Sequence, residues 1–147
     1  MGTLNRFADK LVFVDTMPFI YHIEEHPVYV EAVEAFFVRA LRNKNYRLMT
    51  SVITLGEVLV QPYRKGSDAL VAEYEEIICS TDGLLVVPID QITSRKAARL
   101  RADHSLSMPD ALQLASALIN GADYFLTNDK GIAKTGLPQI VLLDDLM

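Results

Sequence analysis

Four acidic residues occupy positions from which carboxylates can do chemistry. Asp15 directly follows the apolar run Leu11-Val12-Phe13-Val14, and Glu57 is the only charge between Arg47 and Arg64. Asp110 follows Ser107-Met108-Pro109 at the start of a segment with helical spacing, and Asp129 follows Tyr124-Phe125-Leu126-Thr127-Asn128. A carboxylate inside an apolar segment such as that around Glu57 costs free energy unless something satisfies it. Carboxylates gathered in one cleft repel one another and resist ionisation unless a cation joins them. Hard divalent cations prefer oxygen ligands, and magnesium keeps several waters while using only a few carboxylates. Convergence of the four acids on one cleft would therefore make a cation site.

Each acid also has a plain structural role open to it. Ser107-x-x-Asp110 matches a capping box, and an acid in a first helical turn is favoured by the helix dipole alone. Asn128-Asp129-Lys130-Gly131 suits a turn. Glu57 can be solvated on a helix buried on its other faces, and a turn acid would serve after the strand ending at Val14.

The elements that must carry these residues follow from the apolar pattern. Short runs of strand length cover residues 11–14, 47–49, 84–87, 124–126 and 140–143. Helical spacing appears in Val30, Val33, Phe37, Ala40 and Leu41; in Leu70, Tyr74, Ile77 and Ile78; and in Ala111, Leu112, Ala115, Leu118 and Ile119. Gly66, Gly83, Pro88 and Gly121 punctuate the boundaries. Alternating strands and helices predict an α/β fold with a mostly parallel sheet covered on both faces. Ligands of such sheets bind outside the carboxyl ends of the strands, where the strand order reverses. Asp15 with Thr16, and Asp129 with Thr127 and Asn128, fall at that edge of two strands.

The chain has 147 residues, half of them apolar and 22% charged, which predicts a single soluble globular domain spanning residues 1–147. Its 14 basic and 19 acidic residues give a net charge of -5, which argues against gripping nucleic acid by bulk electrostatics. Residues 111–122 form the longest uncharged stretch, short of the ~20 residues a membrane span needs. No signal-peptide core precedes Asp15 and no myristoylation signal follows Met1, so a cytoplasmic location is expected. The single Cys79, in Ile77-Ile78-Cys79, reads as a core thiol.

Taken together, Leu11 to Thr16, Ser51 to Glu57, Leu106 to Ala117 and Tyr124 to Asp129 resemble, in order, the four motifs of the PIN-domain nucleases, and are most similar to VapC-type toxins of toxin-antitoxin systems. The resemblance covers residues 11–143. It implies a three-layer α/β/α fold around a central, mostly parallel five-stranded sheet. It also implies magnesium- or manganese-dependent cleavage of RNA at Asp15, Glu57, Asp110 and Asp129. Asp15 and Asp110 are expected as direct ligands, with Glu57 and Asp129 ligating directly or through water. Thr127 and Asn128 are implied as supporting or water-positioning residues, and Thr16 as a further one. An antitoxin that inserts Arg or Lys among the acids, and a homodimer, are the partners implied.

Competing functions are weaker on the residues. A haloacid-dehalogenase-type phosphotransferase needs Asp-x-Asp, which Asp15-Thr16-Met17 lacks, and a receiver domain needs an acidic pair after the first strand. Neither a P-loop nor a dinucleotide glycine pattern occurs. The remaining alternative is a catalytically silent PIN-like module that binds RNA or protein. Basic residues are bunched at Arg39, Arg42, Lys44 and Arg47, at Arg64 and Lys65, and at Arg95, Lys96, Arg99 and Arg101, where they either form solvated helix faces or meet RNA backbone or a partner. His22, His26 and His104 lack metal-site spacing, and Phe19 and Tyr21 are expected to pack.

Overall fold

The computed structural model of the protein describes residues 2–137 and 140–147. Strands β1 (Leu11–Val14), β2 (Arg47–Ser51), β3 (Leu84–Val87), β4 (Tyr124–Thr127) and β5 (Ile140–Leu142) form one sheet in the order β3-β2-β1-β4-β5. Every neighbouring pair is parallel, with Phe13 standing between Met49 of β2 and Phe125 of β4. From β1 the sheet grows through β2 and β3 on one side and through β4 and β5 on the other. The order therefore reverses at β1 and β4, and a crevice opens beyond their carboxyl ends.

Alternation along the strands divides the interior into two cores. Val12, Val14, Leu48, Leu126 and Val141 face helices α1 (Thr16–Ile23), α2 (Val30–Phe37), α3 (Val52–Arg64) and α4 (Asp68–Ser80), which contribute Phe19, Val33, Phe36, Val58, Tyr74 and Ile78. Leu11, Phe13, Met49, Val87 and Phe125 face α5 (Gln91–Asp103), α6 (Met108–Ile119) and α7 (Lys130–Ala133), which contribute Ala97, Leu100, Leu114, Ala115 and Ile132. This is the three-layer α/β/α arrangement with a five-stranded parallel sheet. Short 3-10 turns at Gly2–Phe7 and Leu143–Leu146 complete the first layer, where Phe7 packs edge-on against Phe36 and Tyr124.

Most helices start on a side chain that accepts a backbone N–H left without an intrahelical partner. Asp15 caps α1, Ser51 α3, Ser67 α4, Asp90 α5, Ser107 α6 and Asp129 α7. The turns at Gly66 and Gly83 have φ of +64° and +90°, a region costly for other residues.

Polar residues extend two strands beyond their apolar runs. Thr50 and Ser51 continue β2 and Thr127 continues β4, because each is fully buried yet hydrogen-bonded; the Thr50 hydroxyl, for example, donates to the Val14 carbonyl at 2.8 Å. β5 ends at Leu142, one residue short of the expected run, where Leu143 enters the final turn. The helix expected through Leu41 changes pitch after Phe37 and closes as a π turn at Val38–Arg42. Cys79 is not a core thiol. Tyr74 and Ile78 define the inward face of α4, and Cys79, about 100° further round, is exposed.

Candidate functional site

Asp15 sits one residue past β1 at the reversal point, its backbone N–H donating to Leu126 O at 3.0 Å. Its side chain is only 8% exposed and is surrounded by donors. Oδ1 accepts from Thr16 N at 2.9 Å and Gln113 Nε2 at 3.3 Å, and Oδ2 accepts from the Thr127 hydroxyl at 2.8 Å. Burial raises the Asp15 pKa above its ordinary value; Thr127, Thr16 and Gln113 pull against it, and the charge of Glu57 adds a push in the same direction.

Gln113 is the hub beneath this carboxylate. It is 1% exposed; its Oε1 accepts from the Ser51 hydroxyl, and its Nε2 also donates to Thr54 Oγ1 at 2.7 Å. One amide thus ties α6 to β1, to the end of β2 and to α3. Thr54 in turn lies 3.3 Å, hydroxyl to hydroxyl, from Thr16, whose Oγ1 donates to Glu57 Oε1 at 2.6 Å. Glu57 itself is exposed, so its carboxylate is held by Thr16 on one side and open to solvent on the other. The burden of a buried acid falls on Asp15.

Asp110 is half-buried in the first turn of α6, where its N–H donates to Ser107 Oγ at 3.3 Å. Burial raises its pKa to about 6; the Ser107 hydrogen bond opposes this, and the like charges of Asp129 and Asp15 add to it. Asp129 is exposed and caps α7, its Oδ1 accepting from Gly131 N at 2.7 Å and Ile132 N at 3.3 Å. Its own N–H donates to Thr127 Oγ1 at 3.0 Å, so one threonine hydroxyl positions two acids. The structural roles of Asp110 and Asp129 are therefore real and coexist with a place in the cleft.

Asp15, Thr16, Glu57, Asp110, Thr127 and Asp129, with Met17 and Ile20, line one open cleft of about 270 Å³. The four expected acids thus share a single concavity. Asn128 does not join them. Its Nδ2 donates to Tyr21 Oη at 3.0 Å, and Tyr21 stacks on Tyr29 at 4.9 Å. Among the described residues, no three His, Cys, Asp or Glu side chains form a group that could hold a metal ion by themselves. The donor set nevertheless fits a hard cation. All four acids are oxygen donors, and an ion of the magnesium type needs only one or two carboxylates when waters complete its shell.

Gln113, Ser51 and Thr54 are functional candidates that the acid pattern passes over. The signal that could have found Gln113 is its place as the lone amide in an apolar helix, three residues after Asp110 and so on the same face.

The PIN domain family model matches residues 12–137. The chain belongs to that family. No curated protein matches its sequence. Solved structures show the same fold at low identity. VapBC2 from Rickettsia felis, bound to a DNA fragment from its promoter, is 16% identical with a TM-score of 0.72, over 90% of this chain and 98% of that one. VapC20 from Mycobacterium tuberculosis, described as a sarcin-ricin loop cleaving toxin, is 20% identical with a TM-score of 0.69, over 85% and 95%. A toxin-antitoxin complex from Klebsiella pneumoniae is 21% identical with a TM-score of 0.68, over 90% and 97%. None of the described helices is long and apolar enough to cross a membrane.

Proposed function

We propose that this protein is a magnesium- or manganese-dependent endoribonuclease, the toxin of a toxin-antitoxin pair, and that it cuts RNA phosphodiester bonds in the four-carboxylate cleft. The observation that carries this reading is that Asp15, Glu57, Asp110 and Asp129, from four separate parts of the chain, line one cleft where the sheet order reverses. Membership of the PIN family and the likeness to VapBC complexes support it. The likeness to toxin-antitoxin complexes supports a protein antitoxin as partner; a second copy of this chain and a cytoplasmic location complete the proposal.

In this reading Asp15 and Asp110 hold the cation directly, and Glu57 and Asp129 hold it directly or through water. When bound, the ion supplies an acidified water and offsets charge on the phosphate in the transition state. The chain's own residues prepare that state. Thr127, Thr16 and Gln113 fix the Asp15 carboxylate in one orientation before any ligand arrives. The Thr16 hydroxyl steers one oxygen of Glu57 and leaves the other for water. Burial raises the Asp110 pKa to about 6, so cation binding below that pH, which requires the carboxylate, is expected to release a proton.

The test is RNA cleavage with magnesium or manganese, with and without chelator, by the wild type and by Asp15→Asn and Asp110→Asn. Metal-dependent cleavage that both variants lose while still folding is expected. Full activity in either variant would sink the site. The second reading is a binding module without turnover. Tight RNA binding by the wild type, with no cleavage under any divalent cation, would establish that reading instead.

A further inference from the structure

Charge in this protein is segregated along the strand direction. Four acids line the cleft at the carboxyl edge, whereas Arg6, Lys10, Arg39, Arg42, Lys44 and Arg47 gather at the amino edge. Lys10 immediately precedes β1 and Arg47 begins β2; Arg47 N donates to Lys10 O at 3.0 Å, and Asp9 N donates to Asn45 O at 2.9 Å. The Arg39 guanidinium reaches across to Asn5, next to Arg6, and Asn45 N donates to Arg39 O at 3.1 Å. Arg6, Lys10, Arg42, Lys44 and Arg47 are exposed and Arg39 is half-buried. The acids nearest in the chain to this edge are Asp9, Asp82 and Asp123, and the Asp123 carboxylate is engaged by Leu11 N at 2.8 Å. Leaving Arg39 aside, five exposed cations share this edge in a chain whose total is -5.

A helix dipole explains part of this grouping, since Arg39 and Arg42 close the α2 segment. It does not explain Arg6 and Lys10, which belong to the Gly2–Phe7 turn and to the residue before β1. Three of the five exposed cations, Arg6, Arg42 and Arg47, are arginines, whose planar forks match phosphate oxygens in pairs. The strands are four or five residues long between the two edges, so about 13–17 Å separates the patch from the cleft. At about 0.1 M salt, where the Debye length is ~10 Å, the cleft carboxylates repel a polyanion at the amino edge far less than one in the cleft.

We propose that the amino edge is a second, sequence-independent holding surface for single-stranded RNA, distinct from the cleft and independent of metal. It rests on RNA being the substrate proposed above, and it supplies the attraction that the metal-free cleft lacks. The cations meet phosphates and read no bases.

Binding of a single-stranded RNA of about twenty nucleotides is measured in chelator between about 50 and 200 mM salt. Wild-type affinity is expected to fall steeply with salt. Lys10→Glu/Lys44→Glu is expected to bind at least tenfold more weakly, with a salt slope shallower by about one for each phosphate no longer neutralised. Lys10→Gln/Lys44→Gln serves if the reversal lowers the melting temperature, and should show the same change in slope. Asp110→Asn should bind at least as well as wild type. Cleavage of a dinucleotide, whose single phosphodiester cannot reach from cleft to patch, should be unchanged in the double variant. Unaltered affinity or slope in both double variants overturns the proposal, as does equal displacement of the RNA by polyglutamate, which would mark an acidic polypeptide as the ligand. Failure of the nuclease reading looks different: no cleavage under any cation, with patch-dependent RNA binding retained.

Discussion

The amide nitrogen of Gln113, on α6, stands 3.3 Å from the carboxylate of Asp15, at the end of β1, and the two residues are 98 positions apart in the chain. Because the same amide also meets Ser51 and Thr54, it couples the orientation of the buried acid to three elements at once. Gln113→Leu leaves the Ser51 and Thr54 hydroxyls and the Asp15 carboxylate each short of a partner, and is expected to cost ~1–3 kcal/mol in urea denaturation. Gln113→Glu puts a second carboxylate against Asp15 and should be destabilised more at pH 8 than at pH 5.5. Two variants that both melt with the wild type at both pH values would show that the network does not bear on the fold.

Thr127 serves two acids through one hydroxyl, donating to Asp15 and accepting from the backbone of Asp129. Thr127→Val keeps the shape and removes both bonds. It should lose ~1–3 kcal/mol of stability and weaken magnesium binding measured by calorimetry, while Thr127→Ser keeps both properties. Equal behaviour of the Val and Ser variants would assign the residue to packing alone.

Stability should respond to pH with a sign set by two raised carboxyls. A carboxylic acid whose folded pKa lies above its ordinary value binds its proton more tightly in the native state. Its contribution is complete below the ordinary value and is lost as pH rises through the folded one. For Asp110 that window runs from about 6 down to the ordinary range near 4, and Asp15 shifts in the same direction. The metal-free protein should therefore become more resistant to urea as pH falls from 7 to 5. Asp90 has the opposite shift, its pKa lowered by Thr93, so its loss on acidification falls below that window. Asp110→Asn should flatten the rise. A wild-type urea midpoint that falls steadily from pH 7 to 5 would contradict the assignment.

Gly131 marks a place where a methyl group would disturb the cleft without touching the core. A Cβ there would stand 3.0 Å from Asp129 Oδ1, so the carboxylate would have to give way. Replacing glycine with alanine inside a helix is itself favourable by ~0.5–1 kcal/mol. Gly131→Ala should therefore hold or raise the melting temperature while lowering magnesium affinity several-fold. A loss of stability with unchanged cation binding would place the strain elsewhere.

Much of the architecture is legible in the chain because burial on both faces of a parallel sheet demands continuous apolar runs, and Leu11 to Val14 and Tyr124 to Leu126 are such runs, while the edge strand Leu84 to Val87 keeps the run with Leu85 exposed. The acids Asp15 and Asp129 are legible for the same reason, since a polar residue directly after a buried strand must lie at its carboxyl edge. Residues whose role depends on partners far along the chain are not. Local periodicity places Gln113 on a helix face but says nothing of Ser51 or Thr54 opposite it, and it sends Asn128 toward the cleft when Tyr21, 107 positions away, draws it off. Cys79 is misjudged because an apolar run on a helix turns 100° per residue and leaves one member in solvent.

By itself, then, the sequence determined the strands and singled out four candidate acids, because these follow from apolar spacing and from chemistry that only certain side chains possess; the order of the motifs came from the resemblance to the PIN-domain nucleases. Which acid is buried and which is solvated, which neutral side chains hold them, and that the cations of two separate segments share the edge opposite the acids, were decided only when parallel pairing brought distant residues to the same end of one sheet.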